Sequence, residues 1–198
     1  MLRVENVKVS GWEAAIRGMR NPMNSWEKSD SDSVSVGPND MLLMRRLFVA
    51  GPEHRKYLRM VHISMDITAP LYWWKEFDTY KVGTTANSCS TMHKLTSKPF
   101  ELDDFSIEHL TEESVTWMKN VVIFLNYWRE CFLKDKNKEC WWQMIQLLPS
   151  SYLQRRTVDF DYEVALQIIR QREGHKLDEW ASLIRMLLIL PYMRELRS

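Results

Sequence analysis

The sequence predicts a mixed fold of helices and a few strands, α+β or α/β. Three observations predict it. Strand-like alternation is confined to residues 2–9, 61–67 and 154–160, scattered among longer stretches of helical periodicity. No regular strand–helix–strand repeat and no glycine fingerprint of a dinucleotide fold connects them. Hydrophobic residues make up 45% of 198 positions, enough for one sizeable core, so a single domain over 1–198 is expected.

The elements follow in order. Leu2, Val4, Val7 and Val9 alternate as a strand, which Gly11-Trp12 ends before a short helix over 13–19. SDSDSVSVGPND, residues 29–40, is a Ser/Asp/Gly/Pro loop with scope to move. Pro38 leads into a helix over 39–49, Gly51-Pro52 breaks it, and a second short helix ends near Arg59. Val61, Ile63, Met65 and Ile67 share one face of a strand; Ala69-Pro70 stops it and a helix covers 71–77. The Thr/Ser/Asn-rich stretch 80–98 reads as irregular. Thr111 is the N-cap of a long helix reaching about Lys134, with Glu112 and Glu113 at the positive end of its dipole. Its apolar stripe is Val115, Met118, Val122, Leu125, Trp128 and Phe132. A helix over 138–147 stops before Pro149, and a strand over 154–160 follows. Residues 162–172 form a helix with Tyr162, Ala165, Leu166 and Ile169 inward, and Gly174 suits the left-handed position beyond its end. A last helix over 177–190 is stopped by Pro191.

Composition excludes several classes. With 27 Lys+Arg against 26 Asp+Glu, no basic coat for nucleic acid is expected. No stretch reaches the ~18 apolar residues that span a membrane. The N-terminal MLRVENVKVS has no apolar core of a signal peptide, so a soluble, cytoplasmic protein is expected. Cys89, Cys131 and Cys140 are an odd set without CxxC spacing, which fits reduced thiols and no metal. Cys89 and His93 are four apart, but no third ligand accompanies them. The pairs Trp73-Trp74 and Trp141-Trp142 read as core or subunit-interface packing, with stacking on a flat ligand as the alternative.

RQREGHKLDEW, residues 170–180, gathers Arg170, Arg172, His175 and Lys176 at a helix end. Spacing alone reads as a solvated corner, where cations suit the helix C-terminus. An arginine fork is also the natural clamp for a phosphate, so both readings stay open.

Two stretches together resemble the flavin-dependent thymidylate synthases: HISMDITAPLYWWKEFDTYKVGTTANSCSTMHKLTS, 62–97, and LLPSSYLQRRTVDFDYEVALQIIRQREGHKLDEW, 147–180. In that family a strand enters an Ala-Pro turn and a helix, then Arg-His-Arg, a serine, and Glu-x-Ser-x-Arg-Tyr. Leu-Pro, a strand, an Asn-x-Arg helix ending in arginine, a histidine and an acidic helix follow. Ala69-Pro70, Leu148-Pro149, the strand through Val158, the arginine-ended helix, His175 and Glu179 keep this order. The chemical signature is eroded: Thr79-Tyr80-Lys81 replaces Arg-His-Arg, and Met92-His93 replaces the final Arg-Tyr. Thr84 and Ser90 stand for the serines, and Asp159 for the helix asparagine. An ungapped match puts the nucleotide arginine at Arg170; anchoring on His175 puts it at Arg172.

The resemblance implies an α+β domain with a mixed or antiparallel central sheet flanked by helices, assembled as a homotetramer. FAD and dUMP would bind at subunit junctions, and methylenetetrahydrofolate would supply the carbon that turns dUMP into dTMP, with NADPH reducing the flavin. Lys81, His175 and Asp159 would serve the cofactor, and Thr84, Ser90, Arg170 and Arg172 the nucleotide; no catalytic residue is assigned. Lys75, Lys94, Lys98, Arg155 and Arg156 are nearby cations that could replace the lost arginines. The alternatives are a non-catalytic or retuned nucleotide- or flavin-binding homo-oligomer of the same fold, and a plain helical interaction module.

Overall fold

Alternation carries the longest strand. In HISMDITAP the residues Ile63, Met65, Ile67 and Ala69 point one way and are at most 1% exposed, while His62, Ser64, Asp66 and Thr68 point the other. Burying each large apolar side chain of such a strand contributes about 1.5–3 kcal/mol. A computed structural model describes residues 1–197. Its strands are β1 (Arg3–Ser10), β2 (His62–Pro70), β3 (Thr84–Ser88) and β4 (Leu153–Asp161), joined in one antiparallel sheet of order β1-β2-β4-β3.

The helices are α1 (Trp12–Arg20), α2 (Pro38–Val49), α3 (Leu71–Phe77), α4 (Thr91–Lys94), α5 (Glu112–Asp135), α6 (Lys138–Leu147), α7 (Tyr162–Arg172), α8 (Asp178–Leu187) and α9 (Met193–Arg197). The α+β class with a helix-flanked sheet is therefore the observed one. Among the described residues no helix is long and apolar enough to cross a membrane.

The chain divides into two compact units. One comprises Met1–Arg3, Ile67–Thr79 and Asn87–Arg156; the other Val4–Asp66, Tyr80–Ala86 and Thr157–Ser198. In the first, α5 and α6 close over Leu95, Phe100, Phe105, Met118, Leu125 and Met144, with Trp128, Phe132 and Tyr152 packed against them. Thr111 caps α5 by accepting from the Ser114 amide, as its position suggested. Trp73, Trp74 and Phe77 of the same unit are at most 1% exposed, so that tryptophan pair is core; Trp141 is half-buried and Trp142 exposed. In the second unit, Tyr162, Ala165, Ile168 and Ile169 of α7 pack with Trp180, Leu183 and Leu187 of α8 in a buried layer.

Two departures from the sequence reading have physical causes. Residues 80–98 are not wholly irregular: they contain β3 and α4. The strand TTANS has no apolar alternation to betray it, because it is an edge strand with four of five residues exposed. The last helix ends at Leu187 rather than at 190; Tyr192 takes a left-handed φ of 60° and α9 starts afresh beyond it. The loop at 29–40 is built around one acid. Asp40, 0% exposed, accepts from Arg20 Nε at 2.5 Å and from the hydroxyls of Ser29 and Ser31 at 2.7 and 2.6 Å. The backbone amides of Asp30 and Ser31 complete its shell.

Candidate functional site

The corner at 170–180 resolves into two different surroundings. Residues two apart on a helix point about 200° away from each other, so Arg170 and Arg172 cannot share a face of α7. Arg172 is half-buried: its Nε donates to the Tyr80 hydroxyl at 3.0 Å, and its guanidinium carbon lies 4.7 Å from the Trp180 ring centroid and 5.6 Å from that of Tyr80. Tyr80 and Trp180 are 6% and 0% exposed and meet edge to face at 6.0 Å. His175 completes the group, its ring 6.2 Å from Trp180 and its Nδ1 accepting from the Leu177 amide at 3.1 Å. That bond occupies Nδ1 as an acceptor and leaves Nε2 as the ring's donor nitrogen. Gly174, with a φ of 73°, makes the turn between α7 and His175 possible, in the position expected of it.

Arg170 is exposed and enters a separate cavity with Arg55 and Glu163. The resemblance left Arg170 and Arg172 open; their environments now separate them, one a cation packed on aromatic rings, the other a cation facing a cavity.

The remaining predicted residues of this unit lie around the ends of β3 and β4. Lys81 is exposed. Thr84 is half-buried, and its Oγ1 is shielded from solvent and has no hydrogen-bond partner. Between them Gly83 adopts a φ of 78°, and a Cβ there would stand 2.7 Å from Asp161 Oδ2. The Gly83 carbonyl accepts from the Asp161 amide at 3.3 Å, while Asp161 Oδ1 caps α7 by accepting from the Val164 amide at 2.8 Å. Burial pushes the Asp161 carboxyl above the ordinary aspartate range, against the bond from Val164 and the charges of Arg59 and His62. Asp159 faces His62, with Oδ1 3.0 Å from Nδ1.

Ser90 belongs to the other unit, where its hydroxyl caps α4 by accepting from the His93 amide at 3.2 Å. The substitute cations there are partly committed. Arg156 pairs with Asp78 at 2.7 Å and lies 4.2 Å over Trp74, and Lys98 pairs with Asp104 at 2.6 Å. Among the described residues no group of three or more His, Cys, Asp or Glu side chains could hold a metal ion. Cys89 is exposed, Cys131 half-buried and Cys140 buried, all three as free thiols.

Sequence reasoning missed Tyr80, Trp180 and Asp161. A signal existed for each: Tyr80 occupies the middle of the eroded signature, Asp161 precedes a helix as N-caps do, and Trp180 is the one aromatic residue of the 170–180 corner.

No protein-family model matches the chain, and no curated protein matches it. Solved structures do. A flavin-dependent thymidylate synthase ThyX from Helicobacter pylori, complexed with FAD and dUMP, superposes with a TM-score of 0.75 at 17% identity, over 97% of this chain and 98% of that one. A second structure of the Helicobacter pylori enzyme with FAD and dUMP gives 0.75 and 17% over 100% of both chains. A UMP/dUMP methylase, PolB from Streptomyces cacaoi bound with 5-Br dUMP, gives 0.63 at 12% identity, over 87% of this chain and 78% of that one. The fold is that of the flavin-dependent thymidylate synthases.

Proposed function

We propose that this chain is a divergent flavin-dependent thymidylate synthase: a cytoplasmic homo-oligomer that binds dUMP and methylates it to dTMP, with methylenetetrahydrofolate as the carbon source and NADPH as the reductant. The observation that carries the reading is end-to-end likeness of fold to ThyX enzymes holding FAD and dUMP, at 97–100% coverage of this chain. Likeness to the dUMP methylase PolB points to the same class of nucleotide.

Two features of the chain support phosphate-bearing ligands. The shielded Thr84 hydroxyl has no partner of its own, and such a group is costly unless something bonds to it. Lys81, three residues away, presents an exposed cation. Lys81, His175 and Asp159 are the residues proposed to hold FAD; Thr84, Ser90 and an arginine of α7 are those proposed for the nucleotide. The bound flavin, reduced by NADPH, would supply the reducing equivalents. The protein's part is to neutralise phosphate charge through Lys81 and arginine, to donate hydrogen bonds from the hydroxyls and from His175 Nε2, and to exclude water.

Assembly is supported by the outward face of α5, where Trp117 and Ile123 are 67% and 66% exposed beside Phe124 and Tyr127. Apolar side chains grouped this densely on one helix face mark an interaction surface. A homotetramer is the proposed assembly.

Two observations favour the second reading, a non-catalytic or retuned nucleotide- or flavin-binding homo-oligomer of the same fold. Tyr80 stands where the family histidine is expected and is buried against Trp180 and Arg172. Asp159 stands where the family asparagine is expected, which puts a carboxylate where a phosphate would want a donor.

Purified protein decides. The enzyme is yellow with flavin absorbance and releases tritium from dUMP labelled at C5. A colourless oligomer that binds dUMP but releases no tritium establishes the second reading. A protein that ignores both ligands overturns both.

A further inference from the structure

Beside α7, the second unit encloses a cavity of about 560 Å³ lined by Phe48, Arg55, Glu163, Gln167, Arg170 and Arg197, among others. That is the size of a nucleotide-scale ligand site. We propose that this cavity binds a phosphate monoester, its phosphoryl group held by Arg170 with help from Gln167 and Arg55.

Charge is the first reason. Arg197 is spent on Glu173, both of whose carboxylate oxygens it reaches, at 2.8 and 2.6 Å. Arg55 pairs with Glu163 through Nη2 at 2.8 Å. Arg170 has no hydrogen bond or ion pair among the described residues, so the cavity keeps one uncompensated guanidinium. A single cation in a concave, partly apolar wall attracts an anion more strongly than the same cation on open surface, because screening by water is reduced. Each carboxylate is ion-paired to one arginine, Glu163 through Oε1 alone, and the remaining surplus of one cation suits one phosphoryl group and not a longer polyphosphate.

Unmet hydrogen bonding is the second reason, and it is independent of the first. Arg55 Nε and Glu163 Oε2 are both shielded from solvent and have no partner. Arg55 Nε is a donor that a phosphoryl oxygen satisfies, whereas Glu163 Oε2 is an acceptor that needs the P–OH of a singly ionised monoester or an ordered water. Arg55 is also fixed in place, its guanidinium carbon 4.9 Å over the Phe48 ring. Geometry is the third reason. Gln167 and Arg170 are three apart on α7 and so share a face, where an amide and a guanidinium converge on one oxyanion. Phe48, Pro52 and Leu166 add the apolar surface that the organic part of a monoester needs.

The proposal goes beyond the thymidylate reading: dUMP is one phosphate monoester, and nothing in the cavity demands uracil. The test titrates inorganic phosphate into the wild type, Arg170→Gln and the control Arg17→Gln by calorimetry, alongside thermal melts. Both substitutions are at exposed positions, so the melts stay put. Phosphate binds once per chain, and Arg170→Gln weakens it by about tenfold or more, as loss of a charged hydrogen bond implies; Arg17→Gln does not. Displacement of phosphate by dUMP identifies the nucleotide as the source, and indifference to dUMP identifies another monoester; the site stands in either case. Equal affinity in Arg170→Gln and wild type, or no phosphate binding at all, overturns the site, whatever the chain does with flavin or labelled dUMP.

Discussion

The guanidinium of Arg172 is clasped by Tyr80, which takes its Nε–H at 3.0 Å across 92 residues of sequence. Together with Trp180 this ties the end of α7 to the residue just ahead of Lys81, the proposed cofactor cation. Arg172 therefore contributes to stability, whatever else it binds. Tyr80→Phe removes one hydroxyl bond and lowers stability by about 1 kcal/mol. Arg172→Ala also loses the packing on two rings and costs about 2 kcal/mol. For a chain of this size each kcal/mol shifts Tm by about 2–4 °C. Thermal melts check both; an unmoved melt in Arg172→Ala means the clasp contributes nothing and frees the residue for a purely ligand-binding role.

Asp40 is the pin of the loop at 29–40. Burial pushes its carboxyl up, but the bonds from Ser31, Ser29 and Arg20 together outweigh burial and hold it below the ordinary aspartate range. The folded state thus binds its proton less tightly than the unfolded chain. Its contribution is fully present above about pH 4 and is lost as pH falls through the depressed folded value. Asp40→Ala strands Arg20, 5% exposed, without a counter-charge, and costs about 3 kcal/mol at pH 7. Urea unfolding at pH 7 and pH 3 checks this, the gap between variant and wild type narrowing in acid.

Asp161 behaves in the opposite sense. Its carboxyl is pushed up by burial, so the folded state holds the proton more tightly than the unfolded chain does. Stability from this group is present below the ordinary aspartate value and is lost as pH rises through the raised folded value. Asparagine caps a helix about as well as aspartate, so Asp161→Asn keeps the Val164 bond and removes the charge. Relative to wild type, the variant gains stability as pH rises from 4 to 7, ending within about 1 kcal/mol of it. Denaturant midpoints across that range test the sign, and a constant difference refutes it.

Alternation and capping made most of the fold legible. HISMDITAP announces a half-buried strand, and Thr111 and Gly174 sit where a helix start and a helix stop require them. β3 was illegible because an exposed edge strand of Thr, Ala, Asn and Ser has no apolar face to display. The site was legible as a list but not as an arrangement. Helical spacing separates Arg170 from Arg172, yet which one packs inward depends on Tyr80, far away in sequence, and on Trp180 in the next helix. The charge cluster at 170–180 was read as one corner, and it is two: an aromatic clasp and a cavity wall.

The outward face of α5 gives the last prediction. Trp117, Ile123, Phe124 and Tyr127 expose apolar surface on the first unit, in a helix whose other face is fixed by Met118 and Leu125 in the core. The exposed side chains contribute little to the fold of the single chain, so changing them leaves intrachain packing intact. In a homo-oligomer that buries this face, a charge placed there must be desolvated on association and finds no partner. The double substitution Trp117→Glu and Phe124→Glu is therefore expected to reduce the particle to a smaller species by light scattering, with far-UV circular dichroism unchanged. Tetramers that persist with both glutamates in place show that assembly uses another surface, and the apolar face then needs a different occupant.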